Sequence, residues 1–424
     1  MGRVVTEGQN VGKSKTFLFA VITILIALIS LELLARAAFH FLGRWDTWGY
    51  TQYEYAYRPY IGYAYQPYEG GRDRYGFNLD SNDDSQRDLR HKDVCEFRVF
   101  MLGGSTVLGR YLDSKDDTLP ARLERLLNQR QSIAGIDISV INAGKPAFIS
   151  VQTLLEHALY IKYSLQPDYV VHFDGSNDSV GQPKYWPKGR YPGVQDNLHR
   201  YTEDFFAKIN EITSLRGSMN ALLRNLSSYS AVIFILHKTI NDPSVWLRQI
   251  TDKDVLKPDT DAGKEDEVAM KEWVQRHVRR YIYNVDLAMR LGDQRTGVAY
   301  FLQPTMLPEM ETSLTDREKD FLHPDNYATD FHGYPKRDSK QLYYSLVREE
   351  FKKLIGENNS KYAVISDLSR LFDNKNPDEA YFGDYVHYLP TGRTIIAEEI
   401  EQIIWPKIQE QVDRDPRFRE CRDS

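Results

Sequence analysis

The sequence predicts an α/β protein, a parallel sheet with helices on both faces, preceded by one N-terminal membrane-spanning helix. From about residue 96 onward, short apolar runs of strand length alternate with segments whose apolar residues recur at helical spacing, the pattern of βαβ units. Glycine-bearing polar loops, "GGST", "NAG" and "DGSND", follow the first three of those runs. Residues 16–35, "TFLFAVITILIALISLELLA", are almost wholly apolar, and Glu32 is their only charge.

As a helix this first run extends roughly 30 Å, the thickness of a bilayer's hydrocarbon core. Arg3, Lys13 and Lys15 precede it, and Arg36 and Arg44 follow it. That slight bias predicts a cytoplasmic N-terminus at 1–15 and an extracytoplasmic remainder, periplasmic or extracellular. The length of the run favours an uncleaved signal anchor. Ala35-Arg36-Ala37 resembles a small-residue cleavage site, which keeps a cleaved signal peptide open. Residues 36–95 read as a tyrosine-rich connector. Nine of the 28 tyrosines lie between Tyr50 and Tyr75, interleaved with Pro and Gly, as in an extended strap packed on a surface.

Strands are expected at 97–102, 136–141, 169–173, 298–302 and 362–365. "LPARLERLLNQRQ", "SVQTLLEHALYIKYSL" and "GRTIIAEEIEQIIWPKIQEQV" supply helices around them. Residues 179–296 interrupt the rhythm and are expected to form an insertion over the sheet's rim. It contains the helical segments "VIFILHKTI", too short to cross a membrane, and "KEWVQRHVRRYIYNVDLAMRL". The α/β domain is thus expected over 96–410, with a tail at 411–424.

Composition excludes several classes. A net charge of −6 over 424 residues offers no basic excess for a nucleic-acid partner. Neither G-x-x-x-x-G-K-[ST] nor G-x-G-x-x-G occurs, which removes the usual nucleotide cradles, and H-E-x-x-H is absent. His323 and His332, nine residues apart, read as solvated loop residues rather than metal ligands. No cofactor and no metal are expected.

Ligands of parallel α/β sheets bind at the carboxyl ends of the strands, so the three glycine-bearing loops share one rim. A serine there becomes a nucleophile only with a base, an orienter for the base and donors for the oxyanion. Ser105 stands after the first strand with little steric cover. Near the C-terminus, "FGDYVHYLPTGRTI" places Asp384 three residues before His387. That spacing on a tight loop lets the carboxylate fold onto the imidazole Nδ1–H and leaves Nε2 for a serine.

These blocks, in this order, resemble the SGNH (GDSL-like) hydrolase family in its membrane-anchored bacterial form. Ser105 in "LGGST" matches the nucleophile block, Gly144 in "INAGKPAFISVQ" the glycine block, and Asn177 in "FDGSNDS" the G-x-N-D block. Asp384 and His387 match the closing D-x-x-H, and "QPTM" after the fourth strand is also similar to family members. Gly104 replaces the aspartate of the G-D-S form. The resemblance implies a flavodoxin-like three-layer α/β/α sandwich and ester hydrolysis or acyl transfer through Ser105, His387 and Asp384. It further implies an oxyanion hole from the Ser105 N–H, the Gly144 N–H and the Asn177 amide. In that arrangement Cys95, before the first strand, and Cys421, beyond the final helix, reach the rim opposite the site. A disulfide is expected there, with two unpaired thiols as the alternative.

The leading expectation is a membrane-anchored serine esterase acting on an acylated cell-envelope glycan or lipid. An O-acyltransferase that modifies an extracytoplasmic polysaccharide with the same triad comes second. A non-catalytic envelope binding or assembly protein comes third.

Overall fold

A computed structural model describes residues 8–41, 55–58, 60–65, 67–68, 71–79, 86–109, 112, 114–130, 135–179, 230–241, 267–322, 336–358, 360–373 and 375–422, with positions 219, 222, 223 and 226. His323 and His332 lie outside the described residues. The strands are β1 (Tyr55–Arg58), β2 (Gly62–Tyr65), β3 (Glu96–Gly103), β4 (Asp137–Asn142), β5 (Tyr169–Asp174), β6 (Gly297–Leu302) and β7 (Ala363–Asp367). The helices are α1 (Gly8–Phe41), α2 (Ser105–Leu108), α3 (Leu119–Asn128), α4 (Ser150–Glu156), α5 (Ser176–Ser179) and α6 (Ala231–Asn241). They continue as α7 (Glu267–Met289), α8 (Asp316–Leu322), α9 (Lys336–Glu357), α10 (Pro390–Arg414) and α11 (Arg419–Arg422).

The chain forms two compact units, residues 1–53 with 203–256, and residues 54–202 with 257–424. In the first, α1 takes up the apolar N-terminal run, and its segment Thr16–Ala38 is long and apolar enough to cross a membrane. Its large apolar side chains are exposed; Phe17 and Leu33 keep 72% and 62% of their surface. Helix α6 packs on it, burying Ala35, Ala231 and Phe234 together.

The second unit holds a five-stranded sheet in the order β4-β3-β5-β6-β7, every pair parallel. This is the doubly wound, flavodoxin-like order. The step from β3 to β4 runs one way along the sheet and the later steps run the other. Right-handed crossovers therefore place the intervening helices on opposite faces. Helices α3 and α10 pack together on one face, and α7 packs between α4 and α9 on the other. All eight residues of the interior strand β3 are buried. Even Arg98 is inside, satisfied by Glu96 at 2.7 and 2.8 Å and by the Leu165 carbonyl at 2.9 Å.

Two expectations need correction. Much of the stretch 179–296 lies outside the described residues, but its last part is not an insertion over the rim. Residues 203–256 group with the N-terminal segment, and α7 is an integral layer helix whose Trp273, Val274, Val278, Tyr281, Val285 and Ala288 are buried at helical spacing. The connector is also more ordered than an irregular strap. β1 and β2 form an antiparallel hairpin, Ile61 and Tyr65 are buried, and the Gln152 side chain donates to the Ile61 carbonyl at 2.9 Å.

Cys95 and Cys421 form a disulfide with a Cα separation of 5.5 Å across 326 residues of sequence. It ties the start of β3 to α11, beside the packed rings of Phe97 and Phe418. Thiol titration of the unreduced, denatured chain is expected to find no free thiol. Cys95→Ser is expected to lower the unfolding free energy by about 2–5 kcal/mol, as loss of a native disulfide usually does. Two titratable thiols would contradict the pairing.

Candidate active site

The sheet order makes β3 and β5 neighbours at the point where the winding reverses, and such a switch point opens a crevice at their carboxyl ends. Ser105 follows β3 there, as the first residue of the single-turn helix α2. The N–H groups of Val107 and Leu108 are both bonded to the Gly104 carbonyl at 3.2 and 3.1 Å. The first two N–H groups of the turn, at Ser105 and Thr106, are the ones such a turn leaves over.

Ser105 Oγ lies 2.7 Å from His387 Nε2. The other ring nitrogen, Nδ1, lies 2.7 Å from Asp384 Oδ2 and 3.0 Å from Oδ1. Asp384 Oδ1 also accepts the backbone N–H groups of Val386 and His387, each at 2.8 Å, so the loop folds around its own carboxylate. Burial raises the Asp384 pKa, but the His387 side chain and these N–H groups outweigh it and hold the group at about 2. With Asp384 ionised at neutral pH, Nδ1 carries a hydrogen and Nε2 accepts from the serine.

The closing loop is braced from behind. Tyr388 Oη donates to the Pro304 carbonyl at 2.5 Å, and Thr305 Oγ1 donates to the Tyr385 carbonyl at 3.1 Å. Lys340, on α9, is fully buried and donates to Thr305 Oγ1 beneath the Tyr385 ring. Burial pushes its ammonium down to about 7, against the attraction of Asp384. A lysine on an amphipathic helix reads as solvated, so no sequence signal marks this one.

Asn177, in α5 after β5, donates its side-chain amide to the Phe148 carbonyl at 2.8 Å, which leaves the second amide hydrogen uncommitted by that bond. A Cβ at Gly104 would come within 2.5 Å of this amide nitrogen. Glycine at 104 thus lets Asn177 lie against the serine turn.

Gly144 is placed differently from the expectation. Its N–H donates to Asn142 Oδ1 at 3.1 Å, and an added Cβ would collide with the Leu108 nitrogen at 2.2 Å. Gly144 is therefore a packing glycine, and its N–H is already spent. Three residues on, Ala147 is the exposed residue of the loop, in the left-handed region with φ +56°, and its N–H has no partner among the described residues. The loop is pinned beside it by Lys145, fully buried and bonded to Glu156 at 2.7 and 2.8 Å.

Asp178 anchors the same loop by accepting the Ser150 N–H at 3.0 Å and the Ser150 hydroxyl at 2.5 Å. Burial raises its pKa to about 7 in spite of these bonds, and neighbouring Asp174 is pushed up by burial and by Asp178. Between about pH 4 and 7 the folded protein then holds a proton that the unfolded chain has released. Stability from this group is complete below pH 4 and is lost as pH rises through 7. Thermal unfolding of Asp178→Asn against the parent across pH 4–8 is expected to show a shallower decline in the variant. Parallel curves would contradict the buried proton.

No family model and no curated protein matches this chain. Solved structures do. They include the lipase Lip_vut3 from a goat rumen metagenome, at 11% identity over 72% of this chain and 97% of that one, with a TM-score of 0.36. A member of the lipolytic G-D-S-L family from Veillonella parvula DSM 2008 matches at 9% identity over 73% and 98%, with a TM-score of 0.37. Axe2, an acetylxylan esterase from Geobacillus stearothermophilus, matches at 11% identity over 73% and 94%, with a TM-score of 0.33. At these scores the chain's own sheet order and site geometry define its class: a doubly wound α/β protein with a serine, a histidine and an aspartate in register at the switch point.

Proposed function

We propose that this chain is a serine ester hydrolase of SGNH type, held to a membrane by α1, that removes acyl groups from a cell-envelope glycan or lipid. One observation carries it: the unbroken hydrogen-bonded line from Ser105 through His387 to Asp384 on the active rim. In the proposed reaction Ser105 Oγ attacks the acyl carbonyl as His387 Nε2 takes its proton, and Asp384 holds the imidazolium. His387 returns that proton to the departing alcohol. Water then attacks the acyl-serine with His387 again as base, releasing the acid and restoring Ser105.

The oxyanion is received by the Ser105 N–H and the Asn177 amide, as the blocks imply. The third donor is assigned to Ala147 in place of Gly144, whose N–H is committed to Asn142. Transfer to a sugar hydroxyl would use the same acyl-serine with the sugar in place of water. The test is turnover of acetyl and longer acyl esters by the full chain in detergent micelles, with and without sugar acceptors. Hydrolysis without an acceptor is expected. Turnover only with an acceptor would replace hydrolysis by transfer, and no Ser105-dependent turnover with either would favour a binding role.

A further inference from the structure

Glu32 is the single charge in the apolar run of α1, and an unpartnered carboxylate at that depth is costly in lipid. It is not unpartnered. One carboxylate oxygen accepts the Ala231 N–H at 2.9 Å. The other accepts the Val232 N–H at 3.1 Å and the Ser230 hydroxyl at 2.7 Å. Ser230 Oγ in turn accepts the Ile233 N–H at 3.2 Å, and Arg36 closes the cluster on Glu32 at 2.8 Å. The first three N–H groups of α6 are thus all satisfied by side chains. A helix start facing water has no need of so complete a cap, but a start in a water-poor setting does.

Depth follows from helix geometry. Glu32 lies six residues before the end of the apolar segment Thr16–Ala38, about 9 Å along the axis, within the boundary between headgroups and acyl chains. Helix α6 spans 11 residues, far short of a crossing, so it cannot traverse the bilayer from there. Its inner face, Ala231 and Phe234, is buried on Ala35 of α1. Its outer side carries Leu236 and Ile240, one turn apart and 46% and 54% exposed. Exposed apolar side chains cover α1 as well, where Leu33 and Leu34 are 62% and 68% exposed.

We infer that α6 is a second membrane element: an interfacial helix, clamped to the anchor through Glu32, that immerses Leu236 and Ile240 in lipid. This rests on the reading of α1 as a membrane anchor. The covering partner is the bilayer, the same medium that α1 itself requires.

Single cysteines test it in membranes carrying the full chain, since the native cysteines are paired. Leu236→Cys and Ile240→Cys are expected to react with a water-soluble maleimide at least about tenfold more slowly than Tyr283→Cys, a solvent-exposed control, and to react with a lipid-soluble maleimide. Adding Glu32→Ala is expected to raise the water-soluble rate at Leu236→Cys several-fold and leave Tyr283→Cys unchanged. Labelling at 236 and 240 within twofold of the control overturns the proposal. So does protection from both reagents, which would mean that protein covers the helix, and so does a rate that ignores Glu32→Ala. Leu25→Cys separates the two readings: if it too labels freely from water, the anchor itself is wrong, whereas protection at 25 with free labelling at 236 defeats the α6 proposal alone.

Discussion

Ser105→Ala is expected to reduce ester turnover by at least about 10⁴-fold, with His387→Ala close behind. The two residues share one proton transfer across 2.7 Å, so neither does chemistry without the other. The double variant should lose little more than either single one, because members of a triad act as a unit. Stability should hardly move for Ser105→Ala, as the hydroxyl sits on a rim turn and supports no core contact. Turnover measured for the two single variants and the double variant, with thermal unfolding alongside, checks both statements. Losses that multiply would show that the serine and histidine serve separate steps.

Asn177→Ala is expected to lower kcat by about 10²–10³ with little change in KM, the behaviour of a donor whose bond strengthens as charge develops on the substrate oxygen. The structure adds a companion. A methyl at position 104 would meet the Asn177 amide nitrogen at 2.5 Å, so Gly104→Ala must displace that amide while leaving the triad in place. It should therefore lower kcat in the same manner, and combined with Asn177→Ala it should add little. Steady-state kinetics of the three variants decides this. A rise in KM at unchanged kcat would reassign Asn177 to substrate binding, and a normal kcat for Gly104→Ala would remove the steric account of that glycine.

The strands were legible because β3, β5 and β6 are buried on both faces and read as largely apolar runs in spite of Arg98 in β3 and His172 in β5, with glycine ending β3 and aspartate ending β5 at the rim. The closing loop was legible because Asp384 and His387 are local to each other, and three residues fix their relation. Other features depend on distant partners. Lys340 and Lys145 look like ordinary solvated lysines until Thr305 and Glu156 are brought to them. The place of Gly144 in its block points to an oxyanion donor, but an asparagine two residues before a glycine commonly captures that N–H in an Asx turn, as Asn142 does here. That signal was present in "NAG". Ala147 gave none, since a left-handed residue without glycine is uncommon and is set by the surrounding loop. Helix α7 carried its apolar spacing openly, but the irregular sequence before it obscured that it belongs to the sandwich.

The claim on which the rest depends is that His387 and Asp384 activate Ser105 as a nucleophile. A fluorophosphonate probe tests this directly: serine Oγ bonds to phosphorus as fluoride leaves, and peptide mass spectrometry locates the adduct. In the folded full chain a single adduct is expected, on Ser105, lost on denaturation and reduced at least about a hundredfold in His387→Ala. An unlabelled Ser105 in folded protein, or labelling indifferent to His387, would contradict the account.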